Sequence, residues 1–299
     1  MTTLRLATRR SALALAQSRQ IARRLQDLVP GLEIEEVQIV TQGDKVIDRA
    51  LSEIGGKGLF VREIEEALRD GRADLAVHSM KDLPAEMAEG LTLAAVPKRE
   101  SPWDALVTRD GRALDALPAG SKVGTSSLRR RRTLQALRPD LEIVMLRGNV
   151  DTRLRRLNDG DFDAVILAEA GLRRLSLDPP RVLLEGCMIP AVAQGALALQ
   201  TRAGDDAARA IVGLLHDPST ALEVEAERAV LAALEGDCGT PLGALARYDA
   251  AAGSMGLDGY FADPKGDGVA TVSERAAVRD PDEARALGQR VGAALRAGV

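Results

Sequence analysis

Aromatic side chains are almost missing from this chain: three Phe, two Tyr and one Trp in 299 residues. Single-stranded nucleic acid is held largely by stacking on such rings. The formal net charge of −4 also offers phosphates no general attraction, so no nucleic-acid partner is expected. The interior must instead be built from Leu, Val, Ile and Ala, within a 45% hydrophobic composition. Cysteine and histidine are equally scarce, with two of each. Cys187 and Cys238 are too few for a disulfide framework and read as free thiols unless one is modified. With two histidines they cannot supply a usual zinc site either, so no metal is expected. The motifs GxSxG, CxxC and HExxH do not occur. No apolar run approaches the ~20 residues that cross a bilayer, and MTTLRLATRR lacks a signal-peptide core, so a cytoplasmic chain without a membrane partner is expected.

Arginine is the surplus, 34 of the 40 basic residues. The stretch from Ser121 to Arg156 holds ten basic residues, nine of them Arg, against three acids. A GC-rich genome would enrich arginine generally, but it would not cluster it. A local cationic surface in an acidic protein points to an anionic ligand, and the planar guanidinium suits carboxylates or phosphates held in fixed geometry.

At this length two or three domains are expected. A first strand, Leu4 to Thr8, runs through Arg9 and Arg10 to Ser11, which can cap a helix burying Leu13, Ile21, Leu25 and Leu28. Arg9 and Ser11 thus stand where a strand ends and a helix begins, a usual anion position in α/β sheets. A second strand, Ile34 to Thr41, follows. The turn Gly55 to Gly58 lacks the Walker spacing around Lys57 and reads as a mobile flap before a helix that buries Leu59, Ile64 and Leu68 and ends at Gly71. The strand Asp74 to His78 then delivers HSMKDLP, which places Ser79, Lys81 and Asp82 in a loop at its carboxyl end. That loop is a functional candidate by position, and equally an ordinary polar turn before Pro84. His78, Ser79 and Asp82 are too close along the chain to be taken as a catalytic triad.

From about residue 100 the βα alternation restarts through WDALVT, SKVGTSS, EIVMLRGN and DAVILAEA, which predicts a second α/β lobe. The segment IPAVAQGALALQTR can return the chain to the first lobe. Two such lobes are expected to form a cleft that binds an anion. Near Pro218 the character changes. Thr220 and Glu223 read as a capping box for a helix lined by Leu222, Ala226, Val230, Ala233 and Leu234 and stopped by Gly236. DCGTP places Cys238 in a tight, exposed loop, whereas Cys187 beside Met188 and Ile189 reads as packing. Strand candidates from Leu242 to Val278 and a terminal helix opened by Asp280, Pro281 and Glu283 complete a small α+β domain.

In order, LRLATRRSALALAQ, VTQGD, GGKGLF, ADLAVHSMKDLP, VGTSSLRR, LRGNVDTRL, AVILAEAGLRRL, IPAVAQGA and EGDCGTPLGA resemble the porphobilinogen deaminase (hydroxymethylbilane synthase) family over nearly the whole chain. The resemblance implies an α/β fold of two periplasmic-binding-protein-like lobes plus a small α+β C-terminal domain. The corresponding expectation is lobe 1 at 1–98 and 195–216, lobe 2 at 99–194, and the domain with the cofactor cysteine at 217–299. It implies a cytoplasmic, monomeric transferase of porphyrin, tetrapyrrole and heme biosynthesis. Such an enzyme condenses four porphobilinogens head to tail, with loss of ammonia, onto a dipyrromethane cofactor and yields hydroxymethylbilane. The alternative is a two-lobed anion-binding protein without catalysis.

By motif position the resemblance places the thioether to dipyrromethane on Cys238 and the catalytic carboxylate on Asp82. Arg129, Arg130, Lys81, Ser127 and Asp82 would contact the cofactor. Arg9, Ser11, Arg147, Arg153, Arg174, Ser79, Thr125, Ser126, Asn149 and Gln194 would hold the substrate's carboxylates and polar groups, with Lys57 and Phe60 on the flap. The cysteine loop reads GDCGTP where the family more often has a second glycine and a larger residue after the cysteine, and the chain ends early, at Val299. Helical geometry adds one expectation. Arg129 to Arg132 must fan around a helix starting near Leu128, so Arg129 and Arg130 in its first turn face the ligand while Arg131 and Arg132 are solvated or make surface pairs.

Overall fold

The computed structural model describes residues 2–41, 61–84, 87–236, 239–264 and 266–299. By contacts the chain divides into two compact units, Met1–Glu100 with Ala196–Leu222 and Ser101–Gly195 with Glu223–Val299.

The first unit is built on one sheet of β1 (Thr2–Arg9), β2 (Leu32–Ile39), β3 (Leu75–Ser79), β4 (Leu91–Ala95) and β10 (Leu197–Arg202), in the order β2-β1-β3-β10-β4. β1 runs parallel to β2 and β3, while β10, returning from the second unit, is antiparallel to both its neighbours. Both faces are covered, as a mainly parallel sheet requires. Leu4, Leu6 and Leu75 pack with Ile21 and Leu25 of the helix Ala12–Leu28. Ala7 and Ala76 turn to the other face, against Ile64 and Leu68 of the helix Arg62–Arg69. Each fully buried Leu or Ile contributes roughly 1.5–3 kcal/mol.

The second unit repeats the scheme. β5 (Asp104–Thr108), β6 (Lys122–Gly124), β7 (Glu142–Val144), β8 (Ala164–Ala168) and β9 (Arg181–Leu183) take the order β7-β6-β8-β5-β9. Three strands are again parallel in 2-1-3 order, and β5 enters antiparallel between β8 and β9. A separate antiparallel sheet follows from β11 (Leu242–Asp249), β12 (Ser254–Ala262) and β13 (Val269–Ala277), covered by the helix Pro281–Ala297. That helix also lies close to the helix Pro218–Ala233, because a Cβ at Gly288 would run into the Ala226 carbonyl. The architecture is therefore α/β, with two sheet lobes of one topology and a small α+β C-terminal part.

Several local expectations hold. Ser11 Oγ accepts from Ala14 N, and Asp280 Oδ1 accepts from Glu283 N, so both residues cap their helices. Others need correcting. Leu28 is 53% exposed, because the last turn of its helix runs past the sheet, and Gln17 and Ser18 take buried places on that face. Thr220 and Glu223 form no capping box. The helix begins at Pro218, and Asp217 Oδ1 accepts from Thr220 N. The Thr220 hydroxyl accepts from Arg99 N instead, and the Glu223 carboxylate from Tyr248 N. Cys187 is exposed, with its neighbour Met188 filling the core in its place. Burial of part of its surroundings pushes the Cys187 thiol up from its ordinary value.

Candidate anion-binding site

In the first unit β1 and β3 lie side by side and parallel, with Ala7 opposite Ala76. Their carboxyl ends therefore bring Arg9 and Ser11 to the same edge of the sheet as Ser79, Lys81 and Asp82. The last two sit half-buried in the 3₁₀ turn Met80–Asp82. Ser79 Oγ accepts from Nε2 of Gln17, a nearly buried residue of the helix Ala12–Leu28. Sequence reasoning missed Gln17, because a lone polar residue on an apolar face carries no pattern. On the opposite face His78 Nε2 meets Gln200 Oε1 at 3.0 Å, and Gln200 Nε2 donates to Glu65 Oε1 at 2.9 Å. Burial lowers the His78 imidazole to about 4, against the pull of the Gln200 bond and aided by the charge of Arg9, so it is neutral at pH 7. Lys57, Phe60 and Cys238 lie outside the described residues.

In the second unit Ser127 Oγ caps the helix Leu128–Leu137 by accepting from Arg130 N, while Ser126 is exposed. Thr125 is buried, and its hydroxyl accepts from Ser127 N. Arg129 and Arg130 leave the first turn as a buried pair around one carboxylate, that of Asp104 at the start of β5. Arg129 Nη2 stands 2.8 Å from Asp104 Oδ2, and Arg130 reaches Oδ1 through Nε at 3.0 Å and Nη2 at 2.7 Å. Gln194 Nε2 donates to the same Oδ1 at 3.0 Å and to Pro102 O. Burial alone would raise Asp104, but the charges of Arg129 and Arg130 and the Gln194 bond hold it well below the carboxylate range. Arg129 is nonetheless lowered, first by burial and further by Arg130, despite Asp104. The two directions agree once the ratio is counted: the acid has two cations, and each cation has half an anion.

The surplus of positive charge continues outward. Arg153, on the helix Val150–Asn158, donates from Nε to Gly148 O, and its guanidinium is lowered to about 10 by burial, then by Arg130 and Arg147. No carboxylate among the described residues offsets those two charges at Arg153. Arg174 reaches Gly195 O, and Asn149 stands exposed at the start of the Arg153 helix. Arg129 Nε, although buried, has no hydrogen-bond partner among the described residues. Arg132 makes the expected surface pair, with Asp267 Oδ1 at 3.7 Å, and also donates to Asp263 O and Gly266 O in the loop between β12 and β13. Asp104, which organises the arginines, was invisible in the sequence because WDALVT reads as a plain strand.

Among the described residues no group of His, Cys, Asp and Glu could hold a metal ion, and no helix is long and apolar enough to cross a membrane. The fold and these arginines define an α/β protein with a cationic site whose chemistry suits a small molecule carrying several carboxylates. Residues 4–210 match the model for the porphobilinogen deaminase dipyromethane cofactor binding domain, and residues 221–297 match the model for the porphobilinogen deaminase C-terminal domain. The porphobilinogen deaminase of Sorangium cellulosum (strain So ce56) is 53% identical over 300 residues, covering 99% of this chain and 99% of its own. That of Syntrophobacter fumaroxidans is 46% identical, covering 98% of this chain and 94% of its own. The chain belongs to the porphobilinogen deaminase family. Among solved structures, a nutrient binding protein from Burkholderia cenocepacia bound to methionine covers 73% of this chain and 93% of its own at 13% identity and a TM-score of 0.43.

Proposed function

We propose that this chain condenses four porphobilinogens head to tail onto a dipyrromethane held through Cys238, releasing one ammonia at each addition, and that water then cleaves the bond to the dipyrromethane to yield hydroxymethylbilane. The observation that carries the reading is the gathering of the buried Arg129 and Arg130 around the single carboxylate of Asp104, with the Arg153 guanidinium lowered by burial and by Arg130 and Arg147. Every pyrrole unit brings an acetate and a propionate, and such carboxylates suit that excess of cations. The residues fit a dipyrromethane for the same reason, since the buried Arg129 Nε is a donor still without an acceptor. When bound, the dipyrromethane would supply the free terminal pyrrole carbon to which the first unit is joined, each later unit joining to the one before it.

The chain's own groups do the rest. Arg129, Arg130, Lys81 and Ser127 hold the carboxylates of the primer. Arg9, Arg147, Arg153 and Arg174 hold those of the incoming and added units, with Ser11, Ser79, Thr125, Ser126, Asn149 and Gln194 giving hydrogen bonds. The Asp82 carboxylate stabilises positive charge that develops as ammonia leaves and passes the proton. We assign lobe 1 to 1–98 and 195–216, lobe 2 to 99–194 and the cofactor domain to 217–299. The chain works as a cytoplasmic monomer without nucleic acid, in keeping with its few aromatic residues and negative net charge.

The test is the denatured intact mass of the chain from porphobilinogen-replete cells. The wild type and Cys187→Ser should carry an increment of two linked pyrroles, and Cys238→Ser should be folded, unmodified and inactive. An unmodified wild type would leave only an anion-binding protein.

A further inference from the structure

Three buried polar side chains cross an otherwise apolar cluster behind the Ser79–Asp82 turn. Glu65, His78 and Gln200 are 8%, 5% and 0% exposed, and their neighbours on that face are Ala7, Ile64, Ala67, Leu68, Ala76 and Leu91. Burying such a chain costs desolvation that an apolar filling would avoid, so its presence calls for a reason. Bond directions define it. Glu65 Oε1 can only accept, so Gln200 must present its Nε2 there and its Oε1 to His78; the imidazole must then carry its proton on Nε2.

His78 lies on β3 directly before Ser79, and β3 ends in the turn that bears Lys81 and Asp82. The strand end is gripped from both faces, by Gln17 on Ser79 and by Gln200 on His78, while Met80 N donates to Ala196 O on the β10 side. We propose that Gln200, oriented by Glu65, is a positioning residue that locks His78 as the neutral Nε2–H tautomer and so fixes the end of β3 from which Asp82 acts. This rests on the role given to Asp82 above. Among the described residues, the charged groups facing His78 are Arg9 from β1 and, through Gln200, Glu65 from the helix Arg62–Arg69. Arg9 opposes protonation, in the same sense as burial.

The chain has only two histidines, His78 and His216, so imidazole NMR resolves them once a His216→Gln variant assigns the second. In wild-type holoenzyme His78 should show the Nε2–H form and no titration between pH 5 and 8. Gln200→Leu should lower kcat by on the order of 10-fold or more, as misplacement of a catalytic group does, with KM changed less than about 3-fold. The exchange Glu65→Gln with Gln200→Glu keeps every donor facing an acceptor but puts a carboxylate against His78. It should restore most of kcat at pH 8, with His78 titrating higher and activity falling as that imidazole becomes charged. The proposal fails if wild-type His78 titrates between pH 5 and 8, if Gln200→Leu keeps its kcat, or if the exchange folds and loads cofactor yet stays as slow as Gln200→Leu. A wild type without the dipyrromethane mass would instead overturn the function, leaving the NMR result standing.

Discussion

Asp104→Asn keeps the size of a side chain and removes one charge, and the structure makes that charge the hub of the second unit. Asp104 is 0% exposed and faces Arg129 at 2.8 Å, Arg130 at 2.7 Å and Gln194 at 3.0 Å. Breaking a buried ion pair by removing one partner costs about 3–5 kcal/mol, because the other charge is left in a low-dielectric interior. Here two guanidiniums are left, so the upper end, about 5 kcal/mol, is expected. For a domain of 150–250 residues each kcal/mol moves the melting point by about 2–4 °C, which gives a drop of roughly 10–20 °C. The only tryptophan, Trp103, adjoins Asp104 in the chain and lies under the Arg247 guanidinium, so its fluorescence reports this unit alone. Asp104 is depressed in the folded state, so its stabilisation is complete above the unfolded carboxylate value of about 3.9 and is lost as pH falls toward the folded value. The gap between wild type and Asp104→Asn should therefore stay constant from pH 8 to about 5 and close only in stronger acid. A shift under 3 °C at pH 7, or a gap that closes between pH 8 and 5, would show that the arginines do not depend on this carboxylate.

In the first unit, burial raises Asp74 but hydrogen bonds from Arg5 and Arg202 outweigh it and hold the carboxyl at about 2. Its contribution is present above about pH 4 and lost as pH falls through about 2; since Arg5 is partly exposed, Asp74→Asn should cost only about 1–2 kcal/mol at pH 7 in chemical denaturation and little by pH 2. Arg153→Leu removes a cation repelled by Arg130 and Arg147, so single-turnover assembly of enzyme-bound intermediates should slow about 10- to 100-fold while the cofactor-free protein melts no lower than wild type; a lower melting point would show a structural role. Asp82→Asn should reduce kcat by ~10² or more with little change in substrate binding, and near-normal turnover would remove it from the chemistry.

The two lobes were legible because their strands are near-continuous apolar runs between turn residues, and DAVILAEA and DALVT appear as β8 and β5 with small boundary shifts. Ser11 was legible as a cap because capping is local. What the sequence hid is long-range. Helix geometry set Arg129 and Arg130 apart from Arg131 and Arg132, and the first two are buried, yet nothing local says that Asp104, twenty-five residues before Arg129, meets them both. For Arg132 the expected surface pair is with Asp267, but its backbone partners, Asp263 O and Gly266 O, are ones no side-chain pattern announces. The capping box at Thr220 and Glu223 failed for a related cause: Asp217 competes for the same orphan N–H groups, and the strand beside Glu223 offers it Tyr248 N.

The arrangement around Asp104 also explains why the site is built on arginine pairs and not on isolated cations. One carboxylate fixes two guanidiniums in position at low entropic cost to the ligand, since Arg129 and Arg130 are already desolvated and held by Ile189 O and Ile166 O before anything binds. It neutralises only one of the two charges. The remainder, beside Arg153, is a cost to the folded chain that a polycarboxylate relieves, so part of the free energy of holding the pyrrole chain is stored as repulsion in the protein without it. Full neutralisation, by a second buried acid in place of Gln194, would make the unit more stable and the site weaker. Gln194 holds Asp104 by a hydrogen bond and leaves the surplus charge intact.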